Sequence, residues 1–200
     1  IAVPSGNFGN VLAAHVAKQI GVPIDRLIVA TNENLVLDRF FKTGIYEQTA
    51  VQVTSSPSMD ISKASNLERF LFDLLGRGDT QLKATMQTFE DKKMVDLSYC
   101  LDDLKDKYGF YSEASTHDER SKIIKLIYEG SGQIIDPHTA ASVKAALDYN
   151  SRENIPIICM ETAKPAKFES AVSDALSFTP DRPSGFQDLE SRTQRFYELE

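Results

Sequence analysis

The chain is poor in cysteine, because Cys100 and Cys159 are the only two in a sequence of 200 residues. They lie far apart in apolar surroundings and form no Cys-x-x-Cys pair. A small secreted domain held together by disulfides needs more cysteines at closer spacing. We therefore expect free thiols and a reducing compartment, and we place the protein in the cytoplasm.

Long apolar runs and basic clusters are also absent. No apolar run reaches the length of about 18 residues that a membrane span requires, so we expect no membrane segment. The net charge of -7 argues against nucleic acid or an anionic membrane as the main partner. The three histidines are too scattered to indicate a metal site. An acidic chain can still bind a small anion, but it then needs local backbone dipoles or a few well-placed cations.

The first residues are strand-like. Ile1-Ala2-Val3 is apolar and runs directly into a glycine-containing loop. A strand that is already in progress at the first residue is unusual for a complete domain. We therefore expect the chain to be part of a longer protein.

Short apolar runs alternate with helix-like segments. Such an alternation predicts an α/β fold in which helices flank a parallel sheet. The predicted strands are 1–3, 26–30, 133–135 and 156–160, and the predicted helices of these two halves are 11–20, 35–42, 140–149 and 168–176.

A helix-rich stretch separates the two halves of this pattern. Its last helix opens with Thr116-His117-Asp118-Glu119, which has the spacing of a capping box. Phe110-Tyr111 is a candidate for a short strand. The other helices of this stretch are predicted at 66–75, 80–90 and 97–108, and the capped one runs to about 129. We predict an α/β core at 1–64 and 131–180, a helical insertion at 65–130, and a tail at 181–200 with a weak helix from about Gln187.

The loop Ser5-Gly6-Asn7-Phe8-Gly9-Asn10 lies between a predicted strand and a predicted helix. Glycines in such a loop let successive backbone N–H groups turn toward one point, and the helix N-terminus adds positive charge there. Ser5 and the asparagines add side-chain donors, so the loop could bind a phosphate. The residues alone leave a second interpretation equally open, namely a turn that uses glycine for sharpness. A Walker loop and a Gly-x-Gly-x-x-Gly dinucleotide motif are both absent.

A family resemblance favours the first interpretation. Val3-Pro4-Ser5-Gly6-Asn7-Phe8-Gly9-Asn10 resembles the phosphate loop of bacterial and fungal threonine synthases, which are fold-type-II pyridoxal phosphate (PLP) enzymes. Further blocks that resemble the family follow in order along nearly the whole chain, which makes the resemblance far more specific than one glycine loop. These blocks are 28–34, 39–46, 56–61, 66–70, 136–140 and 161–168.

The resemblance implies a substrate, a cofactor and roles for residues. The chain would be the C-terminal part of an enzyme that converts O-phospho-L-homoserine and water to L-threonine and phosphate with PLP. Thr162 would hydrogen-bond the pyridine nitrogen of the cofactor, and a hydroxyl is too weak an acid to protonate that ring. The donors to the cofactor phosphate, mostly through backbone N–H groups, would be Gly6, Asn7, Phe8, Gly9 and Asn10.

One essential residue is not assigned within the chain. The resemblance places the Schiff-base lysine of the family upstream of Ile1, so the catalytic residue is unknown here. The groups that bind the substrate phosphate are also expected mainly upstream. We therefore expect the isolated chain to be inactive and to work with the N-terminal part of the same enzyme. Leu35 and Lys164 depart from the family pattern, where Asp and His are frequent, without weakening the resemblance.

Several other polar residues near the motif blocks have competing interpretations. Lys164 and Lys167 flank Thr162, but lysines are common on exposed loops, and we expect catalysis from neither. Glu161 is expected to be exposed or in a salt bridge. His138 follows a predicted strand and could either line the cofactor cleft or begin a helix.

The remaining candidates are expected to be structural or to border the site. His15 and His117 are expected to be structural, and the acidic group at 102–106 to be a solvated helix face. The resemblance suggests that segment 56–60 borders the active site, and the asparagines of 32–34 could do the same.

Two alternative functions stay open. One is a related PLP-dependent phospho-lyase that acts on another phosphorylated amine or amino alcohol. The other is a non-catalytic phosphate-binding α/β module, which a chain that begins in mid-strand does not favour.

Overall fold

The computed structural model describes residues 1–153 and 155–197, and a three-stranded parallel sheet forms its centre. The sheet has the order β1-β2-β5, and β3 and β4 form a separate antiparallel pair. The predicted α/β fold with a parallel sheet flanked by helices is confirmed. The strands are β1 Ala2–Pro4, β2 Leu27–Thr31, β3 Ile45–Glu47, β4 Met94–Asp96 and β5 Phe110–Ala114.

Seven α-helices surround the sheet in the described part of the chain. They are α1 Gly9–Gln19, α2 Val36–Thr43, α3 Leu67–Leu74, α4 Asp79–Lys92, α5 His117–Ser131, α6 Pro137–Glu153 and α7 Glu169–Leu176. The predicted capping box opens α5, because the Thr116 side chain accepts from the Glu119 N–H while the Glu119 carboxylate accepts from the Thr116 N–H. Within the described residues, no helix is both long and apolar enough to cross a bilayer.

The central strand is buried on both faces. Side chains alternate along a strand, so Leu27 and Val29 join the large core formed with α1, α2 and α3, while Ile28 and Ala30 pack with the alanines of α6. This two-sided burial explains why the sequence of β2 is continuously apolar.

The fourth predicted strand forms only a minimal pairing. Segment 156–160 lies parallel to β1 and contributes a single bridge between Cys159 and Ala2. The Ala2 N–H donates to the Ile158 carbonyl at 2.8 Å, and the Met160 N–H donates to the Ala2 carbonyl at 2.9 Å. This segment is therefore the edge of the sheet next to β1.

The strand predicted at 133–135 is wrong. These residues form the connection between α5 and α6 and join no sheet. Both sides of β2 are already paired, with β1 on one side and β5 on the other. The strand β5, on the side of β2 opposite β1, comes from the stretch predicted as an insertion. The division of the chain into core, insertion and tail stays a prediction.

Two predicted helices are irregular or absent. The helix predicted at 97–108 consists of a 3-10 turn at Ser98–Cys100 and a π-helical turn at Asp103–Lys107. The weak helix predicted from Gln187 is wrong for the residues that the structure describes, since only the 3-10 turn Leu189–Ser191 forms there. Residues 198–200 lie outside the described residues.

Candidate active site

The glycine loop between β1 and α1 is anchored at Phe8. This residue has φ 66°, a left-handed conformation that costs a bulky side chain about 1–2 kcal/mol. Its ring is fully buried and packs against three other phenylalanines. The ring centroids of Phe41, Phe70 and Phe110 lie 5.7, 6.0 and 6.2 Å away. Burial of the ring offsets the strained backbone and fixes the position of the loop.

The first turn of α1 is left without a cap. No side chain caps it at Phe8, and no acidic residue lies in the turn. The carbonyl of Asn7 accepts hydrogen bonds from the backbone and side-chain nitrogens of Asn66, at 3.1 and 3.0 Å. Because the peptide is trans, the N–H of Phe8 points the opposite way from that carbonyl. The N–H groups of the first turn are therefore available to an anion.

Gly6 lies directly against a second segment, the 3-10 turn Pro57–Met59. A Cβ on Gly6 would overlap the carbonyl oxygen of Ser58 and would lie 3.2 Å from the Cα of Met59. Glycine is therefore required here by a close approach of two backbones. Gly9 is different, since the nearest atom to its Cβ would be Asn66 Nδ2 at 3.7 Å.

A polar network holds this second segment in place. The side-chain amides of Asn32 and Asn34 donate to Asp60 Oδ1 at 2.7 and 3.0 Å. Thr54 adds its hydroxyl to the same oxygen at 2.7 Å and its N–H to Asp60 Oδ2 at 2.8 Å. Asn32 and Asn34 are buried and line no described cavity. Their hydrogen bonds to Asp60 position the segment that contributes Ser58 and Met59 to the cavity described below.

His138 connects the start of α6 to the turn at Ser58. The Ser58 N–H donates to His138 Nε2 at 3.2 Å, and His138 Nδ1 lies 2.8 Å from Asp136 Oδ1. Since Nε2 accepts, Nδ1 is the nitrogen that donates to Asp136. The sequence left two interpretations of His138 open, and the residue both lies in the first turn of a helix and lines the cavity described below.

Asp136 is fully buried beneath His138. Its carboxylate accepts from the N–H of His138 at 2.9 Å and from the N–H of Thr139 at 3.3 Å, and also from the Thr139 hydroxyl. Burial acts to raise the pKa of Asp136, but the hydrogen bonds from His138 and Thr139 outweigh it and lower the pKa below its ordinary value. The carboxylate is therefore ionised at neutral pH and caps α6.

A cavity of about 300 Å³ opens where these segments meet. The predicted phosphate loop and Thr162, more than 150 positions apart in the sequence, line the same cavity. Ser5 is buried there, and its hydroxyl has no hydrogen-bond partner in the described structure. The lining residues are Pro4, Ser5, Gly6, Asn7, Phe8, Gly9, Asn10, Ser58, Met59, His138, Thr162, Ala163 and Lys167.

The cavity fits a phosphate-bearing small molecule. Its volume is at the lower end of the range of about 300–1,000 Å³ that small-molecule sites span. It combines an uncapped helix N-terminus with an unpartnered buried hydroxyl, and both are hydrogen-bond donors that an anion could satisfy. The cofactor-binding roles predicted for the loop residues and Thr162 remain predictions, but the fold places these residues together.

The other polar candidates lie outside this cavity. His15 is buried in α1 with Nε2 3.0 Å from Asp73, and His117 Nδ1 lies 2.8 Å from Ser55, so both make structural contacts as predicted. Glu161 is exposed and pairs with Lys164 at 3.1 Å, as predicted. The acidic side chains of 102–106 are exposed.

The link from Asp136 through His138 to Ser58 and the close approach of Gly6 to Ser58 have no signal in the sequence. The glycine in the loop and the Asp-Pro-His sequence were visible, but nothing local connects positions 58 and 138. Lys167 was considered only as a catalytic lysine, and its position in the cavity wall was not foreseen.

Comparison with known proteins finds similarity to threonine synthases. A family profile described as "Threonine synthase, C-terminal" matches residues 139–200. Threonine synthase from Methylobacillus glycogenes is 48% identical over 204 residues, which cover 100% of this chain and 42% of that protein. The chain is thus similar, over its whole length, to the C-terminal part of threonine synthases. Threonine synthase from Corynebacterium glutamicum is 46% identical, with 92% of this chain and 40% of that protein covered.

Solved threonine synthases have the same fold. The crystal structure of a PLP-bound threonine synthase from Brucella melitensis matches with a TM-score of 0.91 and 38% identity, over 99% of this chain and 42% of that one. The yeast threonine synthase matches with a TM-score of 0.86 and 36% identity, over 96% of this chain and 42% of that one. The fold-type-II architecture is thus confirmed. The chain spans about two fifths of the length of these relatives.

Proposed function

We propose that this chain forms part of a threonine synthase, which converts O-phospho-L-homoserine and water to L-threonine and phosphate with PLP as cofactor. The observation that carries this proposal is the cavity in which the loop Ser5–Asn10 meets Thr162. The similarity to threonine synthases, at up to 48% identity across the chain, supports it independently.

The phosphate of the cofactor would be bound by the glycine loop. The first-turn N–H groups of α1 carry no cap, and the Ser5 hydroxyl has no other hydrogen-bond partner among the described residues. The residues present therefore fit a phosphate group. Gly6, Asn7, Phe8, Gly9 and Asn10 would donate mainly through backbone N–H groups.

The ring nitrogen of the cofactor would be held by Thr162. A threonine hydroxyl hydrogen-bonds a pyridine nitrogen without protonating it, whereas a carboxylate would stabilise a pyridinium. The chemistry that PLP supplies when bound is that of an electron sink beside the substrate amine. Thr162 would leave the ring nitrogen unprotonated, so the ring would be a weaker electron sink. A weaker sink suits the transfer of negative charge along the substrate before phosphate leaves.

The proposal assigns the remaining parts of the site to the rest of the protein. The chain matches only 42% of its relatives, and the resemblance places the cofactor-bearing lysine upstream of Ile1. We therefore propose that the N-terminal part of the same enzyme is the chain's partner. Cys100 and Cys159 are both free, which supports a reducing compartment, and we place the enzyme in the cytoplasm.

A chimaera tests the proposed function. In it, this chain replaces the segment that it matches in the threonine synthase of Methylobacillus glycogenes. We expect the chimaera to bind PLP and to release phosphate and threonine from O-phospho-L-homoserine, while the N-terminal segment alone does neither. Threonine is measured by chromatography, and the unmodified relative is the positive control.

Two outcomes would contradict the proposal. A folded chimaera that binds PLP but produces no threonine, and instead cleaves other phosphorylated amines, would indicate the related phospho-lyase. A folded chimaera that binds phosphate but not PLP would indicate a non-catalytic module. Circular dichroism establishes the folded state in each case.

A further inference from the structure

Apart from His138, Lys167 is the one ionisable side chain among the residues that line the described cavity. It lies in the 3-10 turn Pro165–Phe168, after the segment that carries Thr162. It also lines a second, larger cavity of about 890 Å³, whose walls come mainly from segment 164–168, α7 and the residues that follow α7, together with Ser55 and His117. Lys167 therefore stands between the two cavities.

The turn that carries Lys167 is fixed to the cavity wall. The Lys167 N–H donates to the Lys164 carbonyl at 3.0 Å. The neighbouring Phe168 ring packs on the His138 ring with a centroid distance of 4.5 Å. Since His138 itself lines the cavity, this contact holds the backbone of Lys167 beside the glycine loop.

The charge of Lys167 is not compensated within the described structure. Lys164 pairs with Glu161 at 3.1 Å, and Arg182, in the larger cavity, pairs with Glu169 at 2.9 Å and with Glu190 at 2.7 Å. Lys167 forms no ion pair with any described residue, and its ammonium lies 5.5 Å from the centroid of the Phe168 ring. Its charge is thus available to a ligand.

A phosphate in this cavity needs such a charge. A helix N-terminus contributes roughly half an elementary charge, whereas a phosphate monoester carries about -1.5 to -2 at neutral pH. The loop alone would leave about one negative charge unbalanced, in a protein whose net charge is -7. Lysine is a frequent point-charge ligand of phosphate.

We infer that Lys167 pairs with a phosphate monoester bound at the junction of the two cavities, a role that rests on the proposed function. The phosphate would belong either to the cofactor or to the phosphorylated substrate. The chemistry of recognition is the same in both cases, and it differs from that of a lysine that bonds covalently to the cofactor.

The chimaera described above allows a direct test with Lys167→Ala, Lys167→Arg and the control Lys164→Ala. The control removes an exposed lysine from the same segment. Dissociation constants are measured by fluorescence for PLP and for pyridoxal, which lacks the phosphate. If Lys167 binds the cofactor phosphate, Lys167→Ala weakens PLP binding about tenfold and leaves pyridoxal binding unchanged. Lys167→Arg restores most of the affinity, and Lys164→Ala has no effect.

The substrate arm of the test uses kinetics. If Lys167 binds the substrate phosphate, PLP affinity stays unchanged, while KM for O-phospho-L-homoserine rises in Lys167→Ala and returns toward the original value in Lys167→Arg. Either pattern supports the inference and identifies the source of the phosphate.

Three results would overturn the inference. They are unchanged PLP affinity together with unchanged KM, an equal loss of affinity for PLP and pyridoxal, or an equal effect of Lys164→Ala. Failure of the unsubstituted chimaera to bind PLP would count against the proposed function instead. Even then, a 31P NMR titration with inorganic phosphate tests Lys167, because the Lys167→Ala chimaera must bind phosphate more weakly than the unsubstituted one.

Discussion

Gly6 and Gly9 belong to the same loop but are required for different reasons. Neither glycine has a left-handed φ, so the two positions differ only in the space available for a Cβ atom. Gly6 touches the backbone of Ser58, which cannot move without carrying the whole turn, whereas Gly9 faces only the flexible amide of Asn66. A motif of two glycines therefore contains one position with a strict steric requirement and one without it.

We predict opposite outcomes for alanine at these two positions. Gly6→Ala should destabilise the chimaera by about 3 kcal/mol, because overpacking of this kind costs about 1–3 kcal/mol and sometimes more, and it should abolish PLP binding. Gly9→Ala should leave stability unchanged or raise it by up to about 1 kcal/mol, since alanine favours a helix over glycine. Urea denaturation measures both. Equal stabilities for the two variants would contradict the close approach of Gly6 and Ser58.

The sequence indicated which residues of the loop matter but not how they are held. The glycines, Ser5 and the helix that follows them suggested a phosphate-binding loop. The further blocks that resemble the family, in order along the chain, made this prediction more specific. Phe8 was expected to donate its N–H, and its buried ring, which fixes the loop, was not foreseen. The contact between Ser58 and His138 joins residues 80 positions apart, and such contacts arise from tertiary packing that local patterns do not encode.

At the scale of elements, the start of α6 is the best-defined support of the site. Asp136 caps the helix and orients His138, which in turn holds the turn at Ser58. The residue that caps α6 thus also supports the wall of the cavity. A change at Asp136 should reach the cavity through His138, although Asp136 is not among the residues that line it.

We predict that Asp136→Asn destabilises the chimaera by about 2 kcal/mol at neutral pH, because a hydrogen bond to a charged group contributes about 1.5–3 kcal/mol. The pKa of Asp136 is lowered in the folded state by hydrogen bonds from His138 and Thr139 that outweigh the effect of burial. The unfolded chain therefore binds the proton more readily than the folded one. The stabilisation is complete above about pH 4, the ordinary aspartate pKa, and is lost as pH falls through the lowered pKa.

The measurement is a series of urea denaturations of the original and substituted chimaera between neutral pH and about pH 3. The stability difference should shrink at the acid end, where Asp136 becomes protonated. A difference that stays constant across this pH range would rule out an ionised Asp136 as the source. Asp102→Asn, at an exposed position, serves as the control that changes nothing.

The predicted elements form where the apolar pattern is long or where a helix cap is present. Prediction failed where the outcome depended on which strands pair. The strand β2 and the helices α3 and α5 carry strong local signals, and all three form. Ile134 and Ile135 are as apolar as a strand requires, yet they join no sheet, and the strand beside β2 is β5. Phe110-Tyr111 was only a candidate for a short strand, yet it lies in the sheet. Which segments pair in a sheet depends on the packing of the whole chain and not on the local pattern alone.

At the scale of the whole molecule, one edge of the sheet is covered on only one face. Along segment 155–160 the side chains of Ile155, Ile157 and Cys159 pack on the cluster beneath α6, while those of Ile158 and Met160 point outward. Ile158 is 64% exposed and Met160 41%. The apolar run at 156–160 predicted a buried strand here, and the relatives contain more than twice the matched length. Both facts fit a face that another part of a longer protein covers, as the proposed function requires.

We predict that Ile158→Lys has different effects in the isolated chain and in the chimaera. In the isolated chain, lysine at a sheet edge should reduce self-association, since edge charges oppose edge-to-edge pairing, and sedimentation velocity should detect more monomer. In the chimaera the same change should lower the yield of folded, PLP-binding protein, because a charge would then be buried without a partner. Ile20→Lys, at a position 78% exposed on the end of α1, should alter neither property. If Ile158→Lys left the chimaera as stable as Ile20→Lys does, the N-terminal part would not cover this face, and the uncovered edge would be a surface of the complete enzyme.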